Sequence, residues 1–137
     1  MAEFKHEVPN EVVERFEKDR FATENGAVIE EIGKNYAKCS INLTSRHKNG
    51  MGAIMGGVYF TLADFAFAVA TNWENLGVVS LSSTINFLSP AKGERLIAEA
   101  KCIKDGKATC VYEISVFDSL GTKTATVLTT GYRVHKA

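Results

Sequence analysis

Residues 50–69, GMGAIMGGVYFTLADFAFAV, constrain the fold more than any other stretch of the chain. From the paired glycines onward, apolar and small residues cover nearly every side of a helix that runs to about Trp73. A helix of that kind has to be enclosed by other structure. Asp64 stands in the middle of it, and an ionised carboxylate in a dry interior costs several kcal/mol or more unless it is paired, hydrogen-bonded or wet.

Helical spacing relieves part of that conflict. Counting by three and four from Gly57 reaches Thr61, Asp64, Ala68 and Thr71, so small and polar residues share one stripe. The stripe is a seam able to hold a ligand or a second chain. Gly56 and Gly57 open the same helix, where free N–H groups and the positive end of the dipole suit a carbonyl oxygen or an anion. A carboxylate two turns from such donors suggests hydrolysis. The same spacing is equally compatible with Asp64 accepting hydrogen bonds across a subunit interface and with glycines that only permit close packing.

The rest of the chain supplies the enclosure. Asn10, after Pro9, is placed to cap a short helix over EVVERFEKD with Val12, Val13 and Phe16 on its apolar face. AVIEEIG and YAKCSINLT read as a hairpin about Lys34 and Asn35, followed by the glycine-dense loop HKNGMGAIMGG. After Gly77 the period changes to two. In VVSLSSTINFL the residues Val79, Leu81, Ile85 and Phe87 alternate with polar ones, which predicts a half-buried strand. Asp105-Gly106 marks a two-residue hairpin between the next two strands, and a last strand, TKTATVLTTGYRV, follows a turn at Gly121. One domain over residues 1–137 is expected, α+β in class, with a curved antiparallel sheet of about five to six strands wrapped around a long central helix.

Lys plus Arg and Asp plus Glu number 16 each, so no global field draws in nucleic acid or an anionic membrane surface. No apolar run reaches the roughly 20 residues of a membrane span. Cys39, Cys102 and Cys110 lack metal-type spacing and read as reduced thiols of a cytoplasmic protein. No GxSxG elbow surrounds Ser80, Ser82 or Ser83. His6 and His135 lie near the termini, and His47, alone near the glycine loop, makes no metal site.

The run HKNGMGAIMGGVYFTLADFAF, residues 47–67, resembles the active-site segment of the phenylacetic-acid-degradation (PaaI-type) acyl-CoA thioesterases, within the hotdog-fold 4-hydroxybenzoyl-CoA thioesterase superfamily. Their pattern is approximately N-G, H-G-G and L-A-D at this spacing. The similarity continues through TINFLSPAKGERLIAEA and GKATCVYEISVFD. The resemblance implies a hotdog fold and hydrolysis of an aromatic or medium-chain acyl-CoA with no cofactor, coenzyme A being part of the substrate.

Carried across, the resemblance makes Asp64 the general base or nucleophile, Gly56 the oxyanion donor and Asn49 a positioning residue for water or substrate. Ser80 matches a water-holding strand position, and Ser82 is read as lying on the same strand face. Gly57, His47, Met55 and Ser82 are expected to contact substrate, while Lys92, Arg46, Lys48 and Arg133 are candidates, by charge alone, for coenzyme A's phosphates. The site of similar proteins is shared by two subunits, which implies a homodimer as the minimal unit and a homotetramer as the assembly. Met55 departs from the pattern, standing where the family has histidine, and methionine neither donates a hydrogen bond nor shuttles a proton. A non-catalytic acyl-CoA binder is therefore the competing reading, with a hotdog dehydratase behind it. Tyr59, Phe65, Phe67 and Trp73 are open between core and acyl pocket.

Overall fold

The computed structural model describes residues 4–5 and 7–134, so His6 and His135 lie outside the described residues. Seven antiparallel strands form one sheet in the order β1-β2-β3-β5-β6-β7-β4. They are β1 (Phe4–Lys5), β2 (Val28–Gly33), β3 (Tyr36–Asn42), β4 (Val78–Phe87), β5 (Arg95–Asp105), β6 (Thr109–Asp118) and β7 (Lys123–Arg133). The long helix α3 (Gly56–Asn72) packs against every strand from β2 to β7. This is the hotdog arrangement expected from the sequence.

Residue size explains how the sheet closes on the helix. Ala37, Ala98, Ala100 and Ala125 are fully buried, and the large side chains of Leu62, Phe67, Tyr112 and Ile114 fill the space their small size leaves. Burying a leucine or phenylalanine stabilises by about 1.5–3 kcal/mol each. Gly131 is needed for the closest approach. A Cβ there would lie 2.7 Å from the Phe67 ring, 2.8 Å from Cys110 Sγ and 2.9 Å from Val78 Cγ1. Tyr59, Phe65 and Phe67, at 5%, 3% and 1% exposure, belong to this core, and Phe65 also lines a cleft beside Asp64.

The C-terminal end of α3 is fixed by side-chain hydrogen bonds. Asn72 donates to the carbonyls of Ala68 (3.0 Å) and Val78 (3.0 Å), and its Oδ1 accepts the N–H groups of Gly77 (2.8 Å) and Val78 (2.9 Å). One buried amide thus joins the end of the helix to the start of β4. Arg15 of α1 (Asn10–Glu17) donates to the orphan carbonyl of Trp73 at 2.6 Å, and Trp73 Nε1 donates to Gly33 O at 2.9 Å.

Four local expectations are corrected. Asn10 is the first residue of α1, not its cap: Pro9 holds the cap position and no side chain caps the helix. A second short helix, α2 (Arg20–Glu24), follows directly. The β5–β6 turn is centred on Lys107 and Ala108, since Asp105 pairs with Cys110 and Gly106 N–H donates to Thr109 O at 2.9 Å. The turn thus lies two residues beyond the expected one, after a register shift between Cys102 and Lys104.

The fourth correction concerns β4. It is the edge strand beyond β7, and Val79, Leu81 and Phe87 are 47%, 64% and 57% exposed rather than half-buried on one face. A bulge at Leu81 separates the pairs Ser80–Gly131 and Ser82–Thr130. Gly131 faces the helix and Thr130 faces away, so the bulge puts Ser80 and Ser82 on opposite faces. Ser83, Ile85 and Phe87 then follow Ser80 onto the helix face, with Ser83 Oγ 2.8 Å from Thr129 Oγ1.

Candidate active site

Helix α3 is not enclosed all round, as its composition suggested. Gly57 and Asp64 are exposed and Phe60, Thr61, Ala68 and Thr71 half-buried, so the small-residue stripe is the one face the sheet leaves open. The desolvation conflict disappears within one chain because Asp64 stands at the surface. Its Oδ1 accepts a hydrogen bond from Ser80 Oγ at 3.2 Å. Ser82, on the other face of β4, does not share this position.

The start of the helix is shaped by the loop before it. Asn49 Oδ1 accepts the N–H groups of Met51 (2.9 Å) and Ala53 (3.1 Å), closing the loop on itself. This engages the side-chain oxygen and leaves the amide nitrogen of Asn49 for any ligand. Met55 N–H donates to His47 O at 3.0 Å, after which the N–H groups of Gly56 and Gly57 have no acceptor among the described residues. These are the orphan donors of a helix N-terminus. Phe87, at the far end of β4, closes over Gly56, where a Cβ would lie 3.3 Å from its ring.

His47 is buried at 4% exposure, with both ring nitrogens engaged. Nδ1 accepts the N–H of Thr44 at 2.9 Å, which leaves the proton on Nε2 to be donated to Asn25 O at 2.6 Å. The ring clamps the loop to the end of α2 and keeps no polar atom for the substrate contact that the sequence resemblance gave it. Met55, 51% exposed, offers only its thioether.

Two clefts meet along the open face. One of about 180 Å³ lies at the helix start between Met55, Gly57, Lys48 and Phe21. The other, about 390 Å³, lies beside Asp64 between Phe21, Phe60 and Ala68. Phe21 and Thr61 line both, so they form a continuous groove. A third cleft of about 410 Å³ carries Lys48 and Lys92. Its floor is fixed by Asp118, 1% exposed, whose carboxylate accepts the N–H groups of Lys92 (2.9 Å), Leu120 (3.0 Å) and Thr122 (3.0 Å). Burial alone would raise its proton affinity, but the N–H groups of Lys92, Thr122, Leu120 and Gly93 hold the carboxyl below its ordinary range. Of the other cations, Arg133 is paired with Asp105 and Arg46 donates to Glu24 O at 3.0 Å.

Sequence reasoning missed Asp19, which lines the Asp64 cleft from the junction of α1 and α2. Burial raises its proton affinity, and the charge of Asp64 raises it further. Within the charged run EKDR nothing distinguishes it from a solvated surface residue.

Distances along the helix limit the chemistry of a single chain. Gly56 and Asp64 are eight residues apart, about 12 Å at 1.5 Å rise per residue. A donor and a base acting on one thioester carbonyl must come within about 3–3.5 Å of the reacting atoms. Within one chain the N–H of Gly56 and the carboxylate of Asp64 are thus set two turns apart along the helix.

Comparison with known proteins accords with this geometry. Residues 51–125 match the family described as the Thioesterase superfamily. Acyl-coenzyme A thioesterase PaaI of Escherichia coli K12 is 36% identical over 102 residues, covering 74% of this chain and 73% of the relative. The structure of the E. coli PaaI protein superposes with a TM-score of 0.83 at 30% identity, over 90% of this chain and 91% of that one. A mutant form of the phenylacetic acid degradation protein PaaI from Thermus thermophilus does so with a TM-score of 0.78 at 26% identity, over 84% and 99%. With the orphan N–H groups at Gly56, the open carboxylate at Asp64 and a sheet wrapped around the helix that carries both, the chain belongs to the hotdog-fold thioesterase superfamily, a family of thioester hydrolases.

Proposed function

We propose that this protein is a cytoplasmic acyl-CoA thioesterase whose site is assembled between two copies, with no metal or other cofactor. The observation that carries the reading is the end-to-end arrangement of α3 and β4. Ser80, at the start of β4, bonds Asp64, while Phe87, at its end, lies over Gly56. Among the described residues β4 is paired only with β7, and its other edge is open beside the exposed apolar Val79, Leu81 and Phe87. Such an edge is a template for a second chain. A two-fold, antiparallel β4–β4 pairing brings the Ser80–Asp64 end of one copy beside the Phe87–Gly56 end of the other. That bridges the separation of about 12 Å that one chain cannot close. Any further assembly into a homotetramer rests on resemblance.

In this arrangement the N–H of Gly56 polarises the thioester carbonyl and stabilises the oxyanion. Asp64, oriented by Ser80, activates a water as general base or attacks the carbonyl itself, and the Asn49 amide positions water or substrate. Coenzyme A departs as a thiolate, a good leaving group, so the site needs no strong general acid. Lys48 and Lys92 face the path its phosphates would take. The aromatic or medium-chain acyl group occupies the groove along Phe60 and Ala68. Free thiols at Cys39, Cys102 and Cys110 fit a reducing compartment, and no helix among the described residues is long and apolar enough to cross a membrane.

The test is free-thiol release from aromatic and straight-chain acyl-CoAs by wild-type protein and Asp64→Asn. Turnover that the substitution lowers by about a hundredfold or more supports the reading. Met55, in place of the family's histidine, favours one second reading, a non-catalytic acyl-CoA binder. Tight acyl-CoA binding with no turnover by wild type would establish it.

A further inference from the structure

The cleft beside Asp64 holds a second carboxylate that the reaction above does not use. Asp19 occupies the capping position of α2, where an aspartate ordinarily turns its side chain onto the free N–H groups of the first turn. Here it makes no such bond. The backbone around it is nevertheless fixed: Asp19 N–H donates to Phe16 O at 3.0 Å, and its carbonyl accepts the N–H of Thr23 at 3.0 Å and the Thr23 hydroxyl at 3.2 Å. Its carboxylate has no hydrogen-bond or ion-pair partner among the described residues. Arg20, the cation on the same rim, is paired with Glu24.

What the cleft combines is apolar wall and uncompensated negative charge. Phe60, Phe65 and Ala68 form one side, and Asp19 and Asp64 face the same space. Burial and the charge of Asp64 both favour a proton on Asp19, so the two carboxylates sense one another across the cleft. No third His, Cys, Asp or Glu joins them in a cluster fit for a cation among the described residues.

Resting on the acyl-CoA thioesterase reading, we propose that Asp19 is a specificity-determining residue that excludes acyl groups ending in a carboxylate from the cleft beside Asp64. A neutral acyl chain loses water against the phenylalanines and meets no charge of its own sign. A chain ending in a carboxylate brings a third anion into a cleft whose described lining offers one cation, Arg20, already paired with Glu24. Selectivity then arises from repulsion of the wrong substrate rather than from extra contacts to the right one.

Valeryl-CoA and glutaryl-CoA have the same carbon count and differ by that terminal carboxylate. We expect wild type to favour valeryl-CoA in kcat/KM, and Asp19→Asn to raise the glutaryl-to-valeryl ratio by roughly tenfold. Asp19→Glu, which keeps the charge, should retain the wild-type preference. A ratio that Asp19→Asn leaves unchanged overturns the inference. The same comparison is made by calorimetry with two non-hydrolysable thioethers of coenzyme A, pentyl and 4-carboxybutyl. If wild type hydrolyses neither thioester, the hydrolase reading is decided by the aromatic and straight-chain panel above, and the ratio of dissociation constants still decides whether Asp19 repels the anionic chain. Equal discrimination by wild type and Asp19→Asn in that measurement sinks the inference by itself.

Discussion

Asp118 and Asp64 are the same side chain put to opposite uses. Asp118 is 1% exposed and takes three backbone N–H groups at 2.9–3.0 Å, which pins the loop carrying Lys92 to the turn after β6. Asp64 stands open on α3 with one hydroxyl at 3.2 Å. The first carboxylate is fully satisfied and therefore inert. The second keeps lone pairs free, at the surface of a helix whose other faces are core. The incompletely satisfied carboxylate, not the buried one, is the candidate for chemistry.

Removing each carboxylate should separate the two roles. Asp64→Asn is expected to lower acyl-CoA turnover by about a hundredfold or more while leaving the thermal midpoint nearly unchanged. Asp118→Ala should do the reverse, unfolding the protein more easily by about 2–4 kcal/mol in a urea titration because three partly buried N–H groups lose their acceptor. If Asp118→Ala is as stable as wild type, the contrast between the two aspartates collapses.

A mixed dimer sharpens the same contrast. Combining Asp64→Asn with Gly57→Trp, whose bulk obstructs the helix start, leaves one site with both halves intact. Each variant alone should be inactive, and the isolated heterodimer should recover about half of the wild-type activity per dimer. No recovery would place both halves of the site in one chain.

Smaller effects concern packing and pH. Gly131→Ala should destabilise by about 1–3 kcal/mol through overpacking against Phe67, visible as a lower urea midpoint. The carboxyl of Asp118 is held below its ordinary range in the folded state, so its stabilisation is present in full above about pH 4 and is lost as pH falls through the folded value. Stability measured from about pH 6 downward should therefore fall less steeply in Asp118→Asn than in wild type. Asp19 titrates in the opposite sense: its midpoint, followed by carboxyl-carbon NMR, should drop in Asp64→Asn as the neighbouring charge disappears.

Much of this could be read from the residues, and what could not has identifiable causes. The start of α3 at the paired glycines and its small-residue stripe follow from spacing, which a helix preserves over its whole length. Strand faces are less secure, because one bulged residue reverses every side chain beyond it. Leu81 does this, and the Ser80–Ser82 equivalence fails with it. The burial of His47 could not be read, since its two hydrogen-bond partners, Thr44 and Asn25, are contributed by a loop and the end of a short helix that pattern does not reveal. Asp19 was hidden for the same reason, its role arising only when α2 folds over α3. The enclosure argument for α3 holds for three sides of the helix and not the fourth, where the small-residue stripe carries Asp64.

The eight residues between Gly56 and Asp64 also set how this protein responds to dilution. On the two-copy reading proposed above, specific activity is a property of the solution and not of the molecule. It should stay constant at high protein concentration and fall toward zero below the dissociation constant of the pair, with free chains fully folded yet idle.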